Sequence, residues 1–224
     1  ANFVAMVEYM DKLVGRLVAK VRDINKLENT IIIFTGDNGT NTGITSTWKG
    51  QLITGGKGGM TDMGTHVPMV AAWSGTSPVN RVSNDLIEFT DLYPTLAEAA
   101  GVRLDKGDPI DGRSFLPQLT GQPGTPRDWV LTHYQPYWNK QPGQFVRTQN
   151  LKLYRDGRLF NVPGDLLEEN DLSKTSQGTT VGKSKQDLQK VLDASPPAPV
   201  QPGQRTSTVR PTYPNWRNLV DPND

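Results

Sequence analysis

The chain has 224 residues, 24 Lys plus Arg against 23 Asp plus Glu, and 35% hydrophobic residues, enough for one large or two small globular domains with a buried core. A formal net charge of +1 with no long basic or acidic run argues against a nucleic-acid surface, and no apolar stretch approaches the roughly 20 residues that span a bilayer. Cysteine is absent, which excludes disulfides, thiolate metal sites and thiol nucleophiles within these residues.

Phe3, Met6, Val7, Met10, Leu13, Val14, Leu17, Val18, Val21 and Ile24 recur at three- and four-residue spacing, which predicts a long amphipathic helix. A chain that enters a helix almost at Ala1, without an initial Met, is expected to have its true amino terminus upstream. Ile31, Ile32, Ile33 and Phe34 form a continuous β-favouring run, the pattern of a strand buried on both faces in a parallel sheet. A second such run, Met69–Trp73, follows a glycine-rich stretch. A helical segment is expected from about Asp85, with Asp91 as a candidate N-cap, Pro94 tolerated in a first turn and Gly101 just past the end. This order predicts an α/β class: part of a mainly parallel sheet flanked by helices, and incomplete, because two strands cannot make a sheet covered on both faces.

The character changes after about residue 120. Residues 129–134, 145–148, 151–154 and 159–162 read as short strands, with Asn150, Asp156 and Gly157 as turn residues, predicting a small antiparallel sheet. Ser184, Asp187, Leu188, Val191 and Leu192 predict one capped helix packed on it. From Ser195 the chain holds seven of its 17 prolines, the composition of an extended strap, with Tyr213 and Trp216 as candidate pins. The expected units are therefore 1–120, 121–194 and a tail, 195–224.

Ligands of open α/β sheets gather outside the carboxyl ends of strands, where Gly36, Asp37, Asn38 and Gly39 stand. A glycine-flanked turn can swing the Asp37 carboxylate and the Asn38 amide toward one point, offering oxygens to a hard cation. Calcium takes roughly six to eight oxygens, so further carboxylates must come from elsewhere. The same residues also make an ordinary turn. An EF-hand is excluded, because Thr42 stands where its Gly would be and Trp48 where its Glu would be. Asn38-Gly39-Thr40 also matches a glycosylation acceptor pattern, which a buried ligand Asn could not use.

Gly55-Gly56-Lys57-Gly58-Gly59 places one fixed cation where backbone can approach a sulfate or phosphate closely, unless the stretch is simply a flexible loop with a solvated lysine. It is not a nucleotide-binding loop, since Gly58 replaces the required Ser or Thr. His66, before Val67-Pro68, can hydrogen-bond an anionic substrate or move a proton, or can be structural. His133 carries a weaker signal, and Trp48, Trp73, Tyr137 and Trp138 are candidates to stack on a sugar or aryl group or to fill core. Residues 40–54 carry no assignable pattern.

In chain order, Thr30 through Gly39, Gly55-Gly56-Lys57-Gly58, Gly64-Thr65-His66-Val67-Pro68, Phe89 through Leu96 and Asp111 through Pro117 resemble the sulfatases of the alkaline phosphatase superfamily. The resemblance extends through 159–162 and 170–173, covering about residues 1 to 175, and marks a carboxy-terminal half. It implies an incomplete alkaline-phosphatase-like fold, with Asp37 and Asn38 as ligands of Ca2+, or of Mg2+, and Lys57 as a catalytic and substrate-binding cation. It also implies a formylglycine nucleophile, made from Cys or Ser in a Cys/Ser-x-Pro-x-Arg motif, in the upstream half. The partners implied are a sulfated small molecule or glycan and that upstream half, in a periplasmic or secreted protein.

The departures define the expectations. Ser77-Pro78-Val79-Asn80-Arg81 has the wrong spacing for the modification motif, so this segment alone is expected to be inactive. The family often has Arg where His66 stands, so His66 is a candidate substrate contact on its own terms. The competing readings are a phosphate or phosphonate ester hydrolase of the same superfamily and a non-catalytic remnant that binds anionic glycans.

Overall fold

A computed structural model of the chain describes residues 2–105, 107, 109–135, 143–175 and 178–195. The expected strap beyond Ser195, with Tyr213 and Trp216, and the aromatic pair Tyr137 and Trp138 lie outside these residues.

Helix α1 (Asn2–Asp23) follows the predicted periodicity, with Lys20 and Arg22 in its last turn to complement the helix dipole. It stops at Asn25, whose left-handed φ of 56° lets the Lys26 N–H reach back to Val21 O at 3.0 Å. None of its residues is buried, and Met6, Leu13 and Leu17 are exposed, so its apolar stripe has no cover among the described residues.

Strands β1 (Ile31–Thr35) and β4 (Met69–Trp73) run side by side with Ile31 opposite Trp73 and Thr35 opposite Met69. They are antiparallel, which corrects the parallel pairing expected from their apolar runs. A parallel pair needs a crossover that carries the chain back along the sheet, ordinarily a helix of a dozen or more residues. Residues 36–68 hold only a hairpin, β2 (Thr45–Trp48) and β3 (Gln51–Thr54), and the four-residue helix α2 (Asp62–Thr65), so the chain re-enters at the end it left. Gly36 N–H accordingly donates to Pro68 O at 3.3 Å. Nor are these strands buried on both faces here: β1 is half-buried throughout, and β4 alternates, with Val70 exposed.

The second helical segment begins later than Asp85. A 3₁₀ turn (Phe89–Asp91) leads into α3 (Leu92–Ala99), which holds buried Pro94 and Thr95, and Gly101 follows it at a φ of 69°. A short helix, α4 (Leu116–Leu119), comes next.

The best-packed region is an antiparallel meander of β5 (Val130–Tyr134), β6 (Gly143–Arg147), β7 (Leu151–Tyr154) and β8 (Leu159–Asn161), in that order. Val146, Leu151, Leu153 and Leu159 share one face and pack on Leu188 and Leu192 of α5 (Thr180–Ala194). The cap of α5 is Thr179, whose Oγ1 accepts the Gly182 N–H at 3.2 Å, rather than the expected Ser184, which lies inside the helix. The period of two turns Phe145, Arg147, Lys152, Tyr154 and Phe160 to the opposite face, where Phe145, Tyr154 and Phe160 pack with Met60 from the glycine-rich segment. The sheet thus bears α5 on one side and the segment leading into α2 on the other.

Candidate active site

Three segments meet at the shared end of β1 and β4: the turn after β1, the stretch after β3, and α2. Their contact is backbone on backbone. A Cβ at Gly39 would lie 1.9 Å from Met63 O, and one at Gly64 would lie 2.2 Å from Gly59 O, so these positions admit glycine alone without displacing main chain. Gly39 N–H donates to Gly64 O at 2.9 Å, Lys57 N–H to Thr40 O at 2.9 Å and Gly55 N–H to Ile44 O at 2.9 Å. The stretch around Lys57 is therefore pinned by its main chain at both ends, although the Lys57 side chain is exposed.

Asp37 and Asn38 are neighbours on the exposed turn, and the His66 side chain is 64% exposed at the end of α2. Asn38 and His66 line one cleft of about 270 Å³, with Asp62, Trp48 and Ile53 among its other walls. Asp37 and Lys57 do not line it; Asp37 adjoins Asn38, and Lys57 is tied through its N–H to the turn that carries both. The unassigned residues 40–54 prove to be the hairpin wall of this cleft. Its tip turns through Lys49 (φ 48°) and Gly50 (φ 82°), with Trp48 exposed beneath and Lys49 Nζ 5.6 Å from the Trp48 ring centre. Trp73, by contrast, donates its indole N–H to Glu28 O at 2.8 Å at the far end of β4. His133 sits on β5 opposite Gln144.

Beneath the cleft lies an ionic cluster with no signature in the sequence. Asp62, 3% exposed, has its Oδ2 3.4 Å from His66 Nδ1 and 3.1 Å from an Arg147 guanidinium nitrogen, and its Oδ1 3.8 Å from Lys152 Nζ. Lys152 is fully buried, reaches Glu168 Oε1 at 2.7 Å and donates to Met60 O. Tyr154 donates its hydroxyl to Glu168, and the Lys152 ammonium stands 4.0 Å from the Phe145 ring centre. Burial alone would raise the Asp62 pKa, but the His66 hydrogen bond and the Arg147 and Lys152 charges outweigh it and hold the carboxyl below its ordinary range. Burial pulls Lys152 down despite Glu168, and burial with the Glu168 hydrogen bond pushes the Tyr154 phenol up. Two carboxylates and two cations balance one another, so the cluster holds its charges in place.

A second cluster centres on Asp91, which is 1% exposed. Arg127 Nε donates to Asp91 Oδ2 at 2.8 Å, Arg113 N–H to Oδ1 at 2.6 Å and Glu88 N–H to Oδ2 at 3.0 Å. Asp91 therefore stands at the expected N-cap position of α3 but makes no side-chain cap bond there; its carboxylate joins the 3₁₀ turn to residues 113 and 127. Buried next to it, Thr95 Oγ1 donates to Asp91 O at 2.6 Å and accepts the Phe115 N–H at 3.0 Å.

For a divalent cation, Asp37 and Asn38 offer adjacent hard oxygen donors on an exposed turn, the donor chemistry calcium and magnesium prefer. Two residues form only part of such a shell, and among the described residues no group of three or more His, Asp or Glu side chains is placed to hold a metal.

Comparison with known proteins bears on the same segments. A family model described as Sulfatase matches residues 1–102. The uncharacterized sulfatase YdeN of Escherichia coli K12 is 31% identical over 168 residues, which cover 66% of this chain and 28% of that protein. Human arylsulfatase A is 35% identical over 147 residues, covering 65% of this chain and 28% of its own length. Among solved structures, a protein in complex with its substrate D-glucosamine-2-N,6-O-disulfate superposes with a TM-score of 0.67 at 24% identity, over 84% of this chain and 38% of that one. That likeness is one of fold, and it gives the chain an α/β fold of the alkaline-phosphatase-like kind. The chain spans little more than a quarter of the length of these two curated relatives.

Proposed function

Because residues 1–102 make this chain a member of the sulfatase family, we propose that it supplies part of the calcium and sulfate site of a sulfuric ester hydrolase of the arylsulfatase kind. The observation that carries this reading is the glycine-packed junction, where Lys57 N–H on Thr40 O and Gly39 N–H on Gly64 O bring the segments bearing Asp37, Asn38, Lys57 and His66 to one end of the β1–β4 pair.

In this reading Asp37 and Asn38 contribute oxygens to Ca2+, or to Mg2+, and the bound ion supplies Lewis-acid stabilisation of sulfate oxygens. Lys57 serves catalysis and substrate binding together: its ammonium offsets negative charge on the oxygen that leaves sulfur, a preorganised charge held on a pinned backbone. His66 contacts the substrate from the cleft wall. The formylglycine nucleophile and the remaining metal ligands belong to polypeptide upstream of Ala1, and this segment alone is inactive. The uncovered stripe of α1 and the half-buried β1–β4 pair are the surfaces that the upstream part would bury. The substrate is a sulfated small molecule or glycan, a choice supported by the disulfated glucosamine held by the structural neighbour. No helix among the described residues is long and apolar enough to cross a membrane, and a periplasmic or secreted site of action is proposed.

The test is hydrolysis of an aryl sulfate by the full-length protein, with and without chelator. Calcium-dependent sulfate release that disappears in Asp37→Ala supports the reading. Undiminished release by that variant removes Asp37 from the site, and hydrolysis of phosphate esters alone moves the protein to the neighbouring reaction class.

A further inference from the structure

The ionic cluster beneath the cleft has a direction. Asp62 touches His66 on its cleft side and Arg147 and Lys152 on its sheet side, at 3.4, 3.1 and 3.8 Å. His66 Nδ1 is the ring atom turned to Asp62, so Nε2, across the imidazole, is directed away from it. Asp62 itself is held: it is 3% exposed, it opens the helix that ends at Thr65, and it lies 3.1 Å from the Arg147 guanidinium of β6, with the Lys152 charge of β7 at 3.8 Å. Lys152 also grips the main chain two residues earlier, at Met60 O, and its charge is matched by Glu168. A surface histidine held only by solvent would sample several rotamers. One whose Nδ1 faces a buried carboxylate paired with sheet cations is biased toward the ring orientation and tautomer that donate to it.

We propose that Asp62 is a positioning residue: anchored by Arg147 and Lys152 of the antiparallel sheet, it fixes His66 so that Nε2 is the atom offered to the sulfated substrate in the cleft, accepting from a substrate hydroxyl when the ring is neutral and donating to a sulfate oxygen when both nitrogens carry protons. The inference rests on the reading of this cleft as part of a sulfate-ester site. It assigns the distal sheet a part in substrate recognition, because the charges that orient the cleft histidine come from β6 and β7. Residues of the proposed metal and sulfate contacts, Asp37, Asn38 and Lys57, have no share in it.

The test is a double-mutant cycle in the full-length protein, reading KM and kcat for a sulfate ester in Asp62→Asn, His66→Gln and the pair. If Asp62 acts through His66, Asp62→Asn raises KM about tenfold in the native background and leaves KM within about twofold when His66 is already Gln. Equal effects in both backgrounds, or a fall in kcat alone, overturn the proposal. A second readout needs neither activity nor a buried substitution: long-range ¹⁵N NMR of the His66 ring in the native protein, identified by the signal lost in His66→Gln. A ring with a proton held on Nδ1, whether or not Nε2 is also protonated, supports the inference, and a neutral ring protonated on Nε2 or a mixture of the two neutral tautomers overturns it. Should the protein hydrolyse no sulfate ester, the functional reading falls while the NMR result still decides the positioning of His66.

Discussion

At single residues, buried charge decides behaviour. Asp91 is almost wholly buried, and although burial would raise its pKa, the Arg127 and Arg113 hydrogen bonds hold it below the ordinary value of 3.8. Asp62 is shifted the same way from the same value. A carboxyl depressed in the folded state binds its proton more readily when unfolded, so its stabilising contribution is full above the ordinary pKa and is lost as pH falls through the lower, folded value. Denaturant midpoints are therefore expected to fall steeply below about pH 4, and Asp91→Ala should flatten that fall. The same substitution should cost about 1.5 to 3 kcal/mol near neutral pH, since it removes the charged hydrogen bonds of Arg127 to Asp91 while Glu88 Oε1, 2.8 Å from the guanidinium, keeps that cation paired; urea titration checks both. Lys57→Ala should lower kcat of the full-length enzyme by about a hundredfold or more while leaving the fold intact, because its side chain is exposed and only its main chain holds the junction.

Among the elements, the junction of turn, glycine stretch and α2 sets how closely site residues approach. Gly39→Ala and Gly64→Ala each drive a methyl group into main-chain oxygen, at 1.9 and 2.2 Å, and neither oxygen belongs to a side chain that can swing away. Each variant should lose activity and gain protease sensitivity between residues 36 and 66, whereas Gly50→Ala at the hairpin tip meets no atom within 4 Å and is strained only by its φ of 82°. Limited proteolysis with intact-mass readout separates the two outcomes. The antiparallel course of β1 and β4 belongs to this scale as well. A connection that closes on itself through a hairpin returns the chain to the same end of the pair, and this return puts Asn38 and His66 on one cleft.

Over the whole molecule, apolar burial is uneven. The meander and α5 share a core of Val146, Leu151, Leu153, Leu159, Leu188 and Leu192, each less than a tenth exposed, while α1 buries no residue at all. Helices in water take most of their stability from packing an apolar face. The 224-residue chain is accordingly expected to self-associate through α1 and the β1–β4 edges. Light scattering should report oligomers or aggregates, and Leu13→Glu with Leu17→Glu should reduce them. A monomeric native chain with one cooperative melt would refute this expectation.

The sequence by itself determined what depends on local pattern. The three- and four-residue spacing of 3–24 made α1, continuous apolar runs made β1 and β4, and short β-favouring segments with Asn150, Asp156 and Gly157 between the later ones made the meander. It also singled out the glycines near Asp37, Lys57 and His66, because such close backbone approach tolerates no side chain. Only the tertiary structure decided what depends on partners distant in the chain. Residues 40–54 look featureless until the β2–β3 pairing makes them a wall, and Asp91 reads as a helix cap until Arg127 reaches it. Residues 151–154 read only as a short strand, and nothing in them marks Lys152 as a buried charge until Glu168, Asp62 and Met60 surround it. The reason is physical: periodicity and turn chemistry are fixed by neighbours a few residues away, whereas strand direction and the pairing of buried charges are set by contacts across dozens of residues, whose partners no local pattern names.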